Sequence, residues 1–509
     1  MRDALLIFIT FLAFYIPFRS IDFDANGVIE AASLESGRLF TRNHIAYRFA
    51  GSVVYRVAQL AGYSGRSIYI LQTLDGVCGA AGVALAFLAF LQFGASRRSA
   101  FAGAVLWGTS FIFWYFSTDV SYVVMAAAFA AAALLCSGIL EKRASIPAAL
   151  LLGLFLALAT LTFQMACFLF PVLLWIIRRR FRDAALSVAV SAAMLGGSYL
   201  ALAISEGHYA PMEILRWATT YGGGHASEWG RLEANRIPIA ASAAVRSFQF
   251  DALANLSEFL ANPFRKYLVR LMVGTMCYGV LAIATFVGFA MHIRRGDFRL
   301  LWWAASYLIF CPFIVWFSPT ESFWFLLPNL FLCGAFALMW KAPLERPNGF
   351  AFVFGTIAIM ASFTFTSWVW PKHINSGTVG RKIDCIANNV RPDDMVIAPD
   401  WFWPASLSYF HEIKALQIID NAVSFNDHNK LLEYMTGESR KTLQKGGRVL
   451  IVDPRSYSSE YLVWLSSQTS FVAADFDRFS GKFAFQCEDS KFLNVTGLNE
   501  SAGPGKRSD

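Results

Sequence analysis

Charged residues are scarce in this chain. Asp, Glu, Lys and Arg make up 15% of 509 residues, against about 25% in ordinary soluble domains, which excludes a single water-soluble core. Histidine (7) and cysteine (8) are also few. No HExxH, CxxC pair or other metal-ligand spacing occurs, and the cysteine content is too low for a disulfide scaffold. Glycine (36) is far too sparse for a collagen-like chain. Disorder is excluded from the opposite side, since low charge and 48 Phe are the reverse of an unfolded polar composition. No internal repeat of the transporter kind is visible. What the chain has instead is apolar length: 56% hydrophobic residues, a mean hydropathy of +0.47, and runs of membrane-spanning length from residue 4 to residue 370. It reads as a polytopic α-helical membrane protein.

The net charge of +8 does not indicate nucleic acid, because no basic stripe forms. Many of the cations lie in short loops between apolar runs. A bilayer core takes about 20 apolar residues per helix. The runs 4–19, 68–93, 100–117, 120–140, 146–161, 164–177, 184–204, 267–292, 300–317, 322–340 and 350–370 give eleven expected spans. Residues 146–177 are too long for one ordinary span, and Thr162 and Gln164 interrupt them, so they are read as two. Alternate loops carry Arg97 and Arg98; Lys142 and Arg143; Arg178, Arg179, Arg180 and Arg182; Arg294, Arg295 and Arg299; Lys341 and Arg346. The loops around 117–119, 161–164 and 318–322 carry no Lys or Arg. The positive-inside rule then places the N-terminus in the cytoplasm and the C-terminus on the far side. The run Leu5–Phe18 lacks a small-residue cleavage site and is expected to be a retained helix.

Three long segments then face the exterior: 20–66, 205–266 and 371–509. The first carries five arginines, against the simple charge rule, as an amphipathic stretch in the headgroup layer can. The expected organisation is a membrane domain over 1–370 and a soluble, extracytoplasmic α/β domain over 371–509. That domain is read from strand-like pieces at 394–398, 415–419 and 448–452 and a helix over 427–445. Cys385 and Cys487 both fall in it, where an oxidising compartment permits a disulfide.

Chemistry is sought first among acids at the exterior boundary. Asp22 and Asp24 lie within six residues of the end of the first span, where carboxylates are costly unless solvated, paired or used. Asp24 or Asn26 equally fits the N-cap of a following helix. Asp119 occupies a hairpin of a few residues between two spans, on the same side, and its blander reading is again a cap. Two acids from separate loops on one face suit proton transfer or a cation site. His44 can bind phosphate, pair with a carboxylate or serve as a base, or be a plain hydrogen-bonding residue. Arg265, Lys266 and Arg270 begin a span from the exterior side, where a lipid phosphate would lie and where basic residues also simply snorkel. Gly222-Gly223-Gly224 lacks the strand and lysine of a phosphate-binding loop and is read as a flexible loop.

These segments resemble the C-type (GT-C) integral membrane glycosyltransferases, the class of protein O-mannosyltransferases, lipid A aminoarabinose transferases and their bacterial relatives. The likeness rests on Asp22-Phe23-Asp24 in a long first exterior loop, Asp119 at the next, and Glu35-Ser-Gly37-Arg-Leu-Phe40 followed by Asn43-His44-Ile-Ala-Tyr47. The Phe113-Trp114-Tyr115-Phe116 segment leading to Asp119 and Tyr122 adds to it. In place of the family's adjacent Asp-Glu pair stands Asp-Phe-Asp, which leaves open whether Asp22 or Asp24 is catalytic.

The resemblance implies a polyprenyl-phosphate sugar donor and an envelope glycan, glycolipid or protein acceptor, with no nucleic-acid partner. It implies inverting transfer on the outer face of a bacterial inner membrane. Asp24 or Asp22 would be the general base, and Asp119 would orient the acceptor or hold a divalent cation, Mg or Mn. His44, Tyr47, Arg265, Lys266 and Arg270 would bind substrate. The competing readings are a lipid-linked oligosaccharide polymerase or ligase, a lipid or glycan transporter, and an inactive scaffold of the same fold. Transport would call for ionisable groups at mid-membrane depth, and Asp75 with Gln72 in the second span is the main exception to their scarcity.

Overall fold

Serine side chains cap the starts of three helices in the first half of the chain. The structure, a computed structural model, describes residues 1–37, 43–219, 233–249, 266–294, 299–374, 378–399, 402–418, 428–453, 456–457, 465 and 473–498. Arg2–Tyr15 (α1), Ala25–Glu35 (α2), Ile45–Leu60 (α3) and Ser67–Gln92 (α4) come first. Arg97–Gly108 (α5) begins at a reciprocal Ser96–Ser99 capping box. It is followed by Phe111–Ser117 (α6), then Tyr122–Lys142 (α7) and Ile146–Thr162 (α8), the last two capped by Ser121 and Ser145. A 3₁₀ turn, Gln164–Phe168, leads into Leu169–Ile176 (α9), and Phe181–Ser205 (α10) and Pro211–Thr219 (α11) follow.

Helix occupies all eleven expected runs, but not all are full spans. Among the described residues, seven helices are long and apolar enough to cross a bilayer, or eight if α5 and α6 count as one span bent by 66°. α1 has 14 residues, and the run 146–177 divides at Phe163, whose backbone is extended. The α5–α6 bend falls at Thr109 and Ser110, whose hydroxyls donate to the carbonyls of Val105 and Trp107. Polar groups freed by a broken helix in an apolar medium must be satisfied locally, and the Gly108 carbonyl at the end of α5 accepts the Tyr15 hydroxyl at 2.7 Å. The chain is an integral membrane protein.

Two compact units result. The first comprises Met1–Ser20, Ser33–Ile214 and Leu232–His373; the second comprises Ile21–Ala32, Leu215–Arg231 and Ile374–Asp509. In the first, α7 is the most enclosed of the spans, with 83% of its apolar window buried. Small residues let its neighbours approach: a side chain at Gly79 on α4 would collide with Ser117, and Ser187 and Ser191 on α10 donate to carbonyls of α8.

The loops of this bundle sort to two ends. At one end Arg97 pairs with Asp3, Arg98 donates to the Glu345 carbonyl, Lys142 to Gln92 and Lys341 to the Gly94 carbonyl. At the other, the Ser20 N–H donates to the Thr118 carbonyl, and Gln72 donates to the carbonyls of both Ser20 and Thr118 at 2.8 Å. The loops of Arg97 and Arg98, Lys142 and Lys341 thus share one end, and the Asp119 hairpin lies at the opposite one.

The second unit is built on a five-stranded sheet in the order β2-β1-β3-β5-β4. β1 (Met395–Ala398), β2 (Lys414–Gln417) and β3 (Val449–Val452) run parallel, while β4 (Phe479–Cys487) and β5 (Ser490–Leu498) form a hairpin whose β5 pairs antiparallel with β3. All four residues of β1 and of β3 are buried, as expected of strands covered on both faces. Ile397 and Ile451 pack with Leu431 and Met435 of helix His428–Gln444. Val396 and Leu450 pack on the other face with Ile386 of helix Thr378–Asn389 and Leu407 of helix Phe402–His411. Helix Thr378–Asn389 is fastened to the β4–β5 hairpin by a Cys385–Cys487 disulfide, with Cα atoms 5.8 Å apart. The ion pairs Arg381–Glu488 and Lys382–Asp489 add to it.

Candidate active site

The Asp119 hairpin is held by polar residues of α4 that an all-apolar span would lack. Gln72 and Asp75 are one helical turn apart and share a face. Both are buried. Gln72 ties the backbone at Ser20 and Thr118, and Asp75 Oδ2 accepts the Ser121 N–H at 2.9 Å. The same oxygen accepts the Tyr47 hydroxyl of α3 at 2.7 Å. These two residues, the exceptions on which a transport reading would rest, therefore brace loop backbone on both sides of Asp119.

Asp119 itself is fully buried. Its Oδ1 accepts the Val120 N–H, and its Oδ2 lies 2.6 Å from Lys372 Nζ. Lys372 also donates to the Tyr115 hydroxyl at 2.8 Å, and its ammonium lies 4.2 Å from the centre of that ring. His373, next in sequence, places Nδ1 2.9 Å from the Arg19 carbonyl. Sequence reasoning did not assign Lys372. The signal was a lysine directly after an apolar span, at an end whose short loops carry none.

His44 lies at the same end. Its ring stacks on Tyr122 at 3.5 Å between centroids, and Nδ1 is 3.0 Å from the Thr162 carbonyl at the α8 break. A carbonyl only accepts, so Nδ1 carries the proton there. The structure thus gathers His44, Tyr47 and Asp119 at one end of the first unit, with Tyr115, Tyr122 and Lys372.

Asp22 and Asp24 belong to the second unit. Asp24 is the N-cap of α2: its Oδ1 accepts the Asn26 N–H at 2.9 Å and its carbonyl the Val28 N–H. Between the two acids Phe23 is buried and stacks on Phe410 of the same unit, 5.6 Å between centroids. Lys266 and Arg270 lie in the first turns of helix Lys266–Arg294, with their side chains outside the described part of the structure; Arg265 lies outside the described residues. Among the described residues, no three His, Cys, Asp or Glu side chains are grouped to hold a metal ion. Asp119, the acid expected to hold one, is engaged by Lys372. With Lys372 on Oδ2 and the Val120 N–H on Oδ1, the described donors at Asp119 do not fit a divalent cation.

No protein-family profile matches the sequence, and no curated protein matches it. Solved structures do match, over nearly the whole chain. ArnT from Cupriavidus metallidurans, bound to undecaprenyl phosphate, is 10% identical with a TM-score of 0.54, over 99% of this chain and 98% of that one. The fold is that of the GT-C membrane glycosyltransferases. ArnT in the apo state gives the same TM-score over 96% and 97% of the two chains. An oligosaccharyltransferase from Archaeoglobus fulgidus, in complex with zinc and sulfate, is 12% identical with a TM-score of 0.52, over 97% of this chain and 74% of that one.

Proposed function

We propose that the chain transfers a sugar from a polyprenyl-phosphate donor to an envelope acceptor at the extracytoplasmic face, with inversion at the anomeric carbon. The observation that carries this reading is the end-to-end likeness to ArnT, which binds undecaprenyl phosphate. The buried Asp119–Lys372 pair beside His44 and Tyr47 supports it with chemistry suited to a phosphate leaving group. In a single displacement the acceptor oxygen bonds to the anomeric carbon as the bond to the phosphate oxygen breaks. Asp24 or Asp22 takes the acceptor proton, a contribution of roughly 10²–10⁴-fold. The departing phosphate gains negative charge, and a cation held in place beforehand stabilises it without reorganisation. Lys372, fixed by Asp119 and Tyr115, is assigned that role together with His44 when its imidazole is charged. Arg265, Lys266 and Arg270 are assigned the donor headgroup. Asp119 acts through Lys372 as a positioning residue.

The test is a mass-spectrometric comparison of envelope glycans and glycolipids in cells with the intact chain, without it, and with Lys372→Met at matched expression. Loss of one defined sugar from one defined acceptor without the chain, repeated in Lys372→Met, is the expected result. An unchanged glycan profile without the chain would overturn the transferase reading in favour of transport or scaffolding. A change seen without the chain but not in Lys372→Met would remove Lys372 from the site.

A further inference from the structure

A groove of about 1060 Å³ opens along the first unit. Its walls are α1, α5 and the helix Pro347–Thr364. It runs from Arg98 and Phe350 at the end that gathers the basic loops to Trp114 and Phe365 at the other. The 15 steps from Phe350 to Phe365 rise about 22 Å at roughly 1.5 Å each. One leaflet of a ~30 Å hydrocarbon core is shorter than that, so the groove accommodates acyl chains at full length.

The walls suit a hydrocarbon occupant. Leu6 and Phe14 line the groove and yet are 53% and 48% exposed. The hydroxyls of Thr109, Ser362 and Thr366 in its wall each donate to a carbonyl of their own helical segment, so they ask nothing of the occupant. The mouth is charged. Two guanidiniums, Arg97 and Arg98, and one carboxylate, Asp3, rim it, which leaves one net positive charge. Arg97 is anchored by Asp3, and Arg98 by the Glu345 carbonyl and the Phe350 ring. Each guanidinium has five N–H donors, so these anchors leave others for a phosphate. Basic pockets between spans at a headgroup layer take anionic lipid heads.

We infer that this groove holds an anionic phospholipid of the leaflet on the Arg97 side, its acyl chains along α1 and its phosphate between Arg97 and Arg98. The phosphate position at its charged mouth lies at the opposite end of the bundle from Lys372. It is therefore separate from the phosphate of the proposed donor and stands whether or not the transferase reading does.

The experiment uses the full chain in bilayer discs of phosphatidylcholine mixed with phosphatidylglycerol, with retained lipid counted by native mass spectrometry after transfer to detergent. The wild type is expected to retain one phosphatidylglycerol over phosphatidylcholine by about fivefold, the worth of one net basic charge at a headgroup. Arg97→Gln with Arg98→Gln is expected to lose that preference, with an unchanged helical circular dichroism spectrum reporting an intact fold. Lys142→Gln, at the same end but outside the groove, is expected to keep it. Equal retention of the two lipids by the wild type, or an undiminished preference in the double variant, would overturn the assignment.

Discussion

Lys372 and Asp119 stand 253 positions apart in sequence and 2.6 Å apart in space, with 14% of the lysine side chain exposed and none of the aspartate. The asymmetry makes a prediction. Removing one partner of a buried pair costs about 3–5 kcal/mol, because the other charge is left uncompensated. Lys372→Met strands a carboxylate with no exposure and is expected to reach that range. Asp119→Asn leaves an ammonium that still touches solvent and is expected to cost less. The double variant should recover part of the loss of Lys372→Met. Unfolding of the three purified variants in one detergent measures the order, and equal costs for the two single variants would contradict it.

Asp75 gives a second prediction. Its Oδ2 serves two donors from different elements, the Tyr47 hydroxyl and the Ser121 N–H. Asparagine keeps an acceptor oxygen of the same reach, so Asp75→Asn is expected to be mild. Leucine abandons both donors in a buried place, at about 1–3 kcal/mol for each. Hydrogen exchange over residues 118–122 should be faster in Asp75→Leu than in Asp75→Asn. Protection in Asp75→Leu equal to the wild type would show that Asp75 does not brace the hairpin.

How much of this was legible follows from where the information lies. Asp119 stood out because it is the one charge in a hairpin between apolar runs, a local property. Lys372 did not, because Trp370-Pro371-Lys372-His373 reads as the start of a soluble tail, and its partner is set by which helix ends meet. The break at Phe163 was readable from Thr162 and Gln164, whereas the bend between α5 and α6 falls at Thr109-Ser110 inside one apolar run. β1 and β3 were visible as continuous apolar segments because the sheet is covered on both faces. β4 was missed, since its middle is exposed or half-buried and an edge strand carries little hydrophobic pattern. Asp24 was legible as either a cap or a catalytic acid, and its geometry establishes the cap.

The second unit should respond to acid. Burial alone would raise the Asp394 carboxyl, but the Arg448 side chain and the N–H groups of Arg391 and Arg448 hydrogen-bond it and hold it below the usual carboxylate range. A lowered folded pKa contributes stability that is present above the unfolded value, about 3.9 for Asp. That stability is lost as pH falls through the folded pKa. Backbone protection in β1 and β3, corrected for intrinsic exchange rates, is therefore expected to fall between pH 5 and pH 3. Arg448→Met should start with lower protection at pH 5 and lose less on acidification. An equally steep loss in the variant would remove Asp394 from the acid response.

Asp24 allows the cap and the proposed base to be separated. As the N-cap of α2, its Oδ1 satisfies the Asn26 N–H, and asparagine caps about as well as aspartate, whereas alanine costs about 1 kcal/mol. Asparagine cannot take a proton from an acceptor hydroxyl at neutral pH. Asp24→Asn is thus expected to keep the stability of the wild type while transfer falls by roughly 10²–10⁴-fold. Asp24→Ala should lose both. If Asp24→Asn keeps full transfer and Asp22→Asn abolishes it, the base is Asp22 and Asp24 is a cap alone. If neither substitution slows transfer in a chain that retains it, the proton goes to a group outside Asp22-Phe23-Asp24. Purified protein with a prenyl-phosphate sugar, assayed beside thermal unfolding of the same samples, reads both quantities at once.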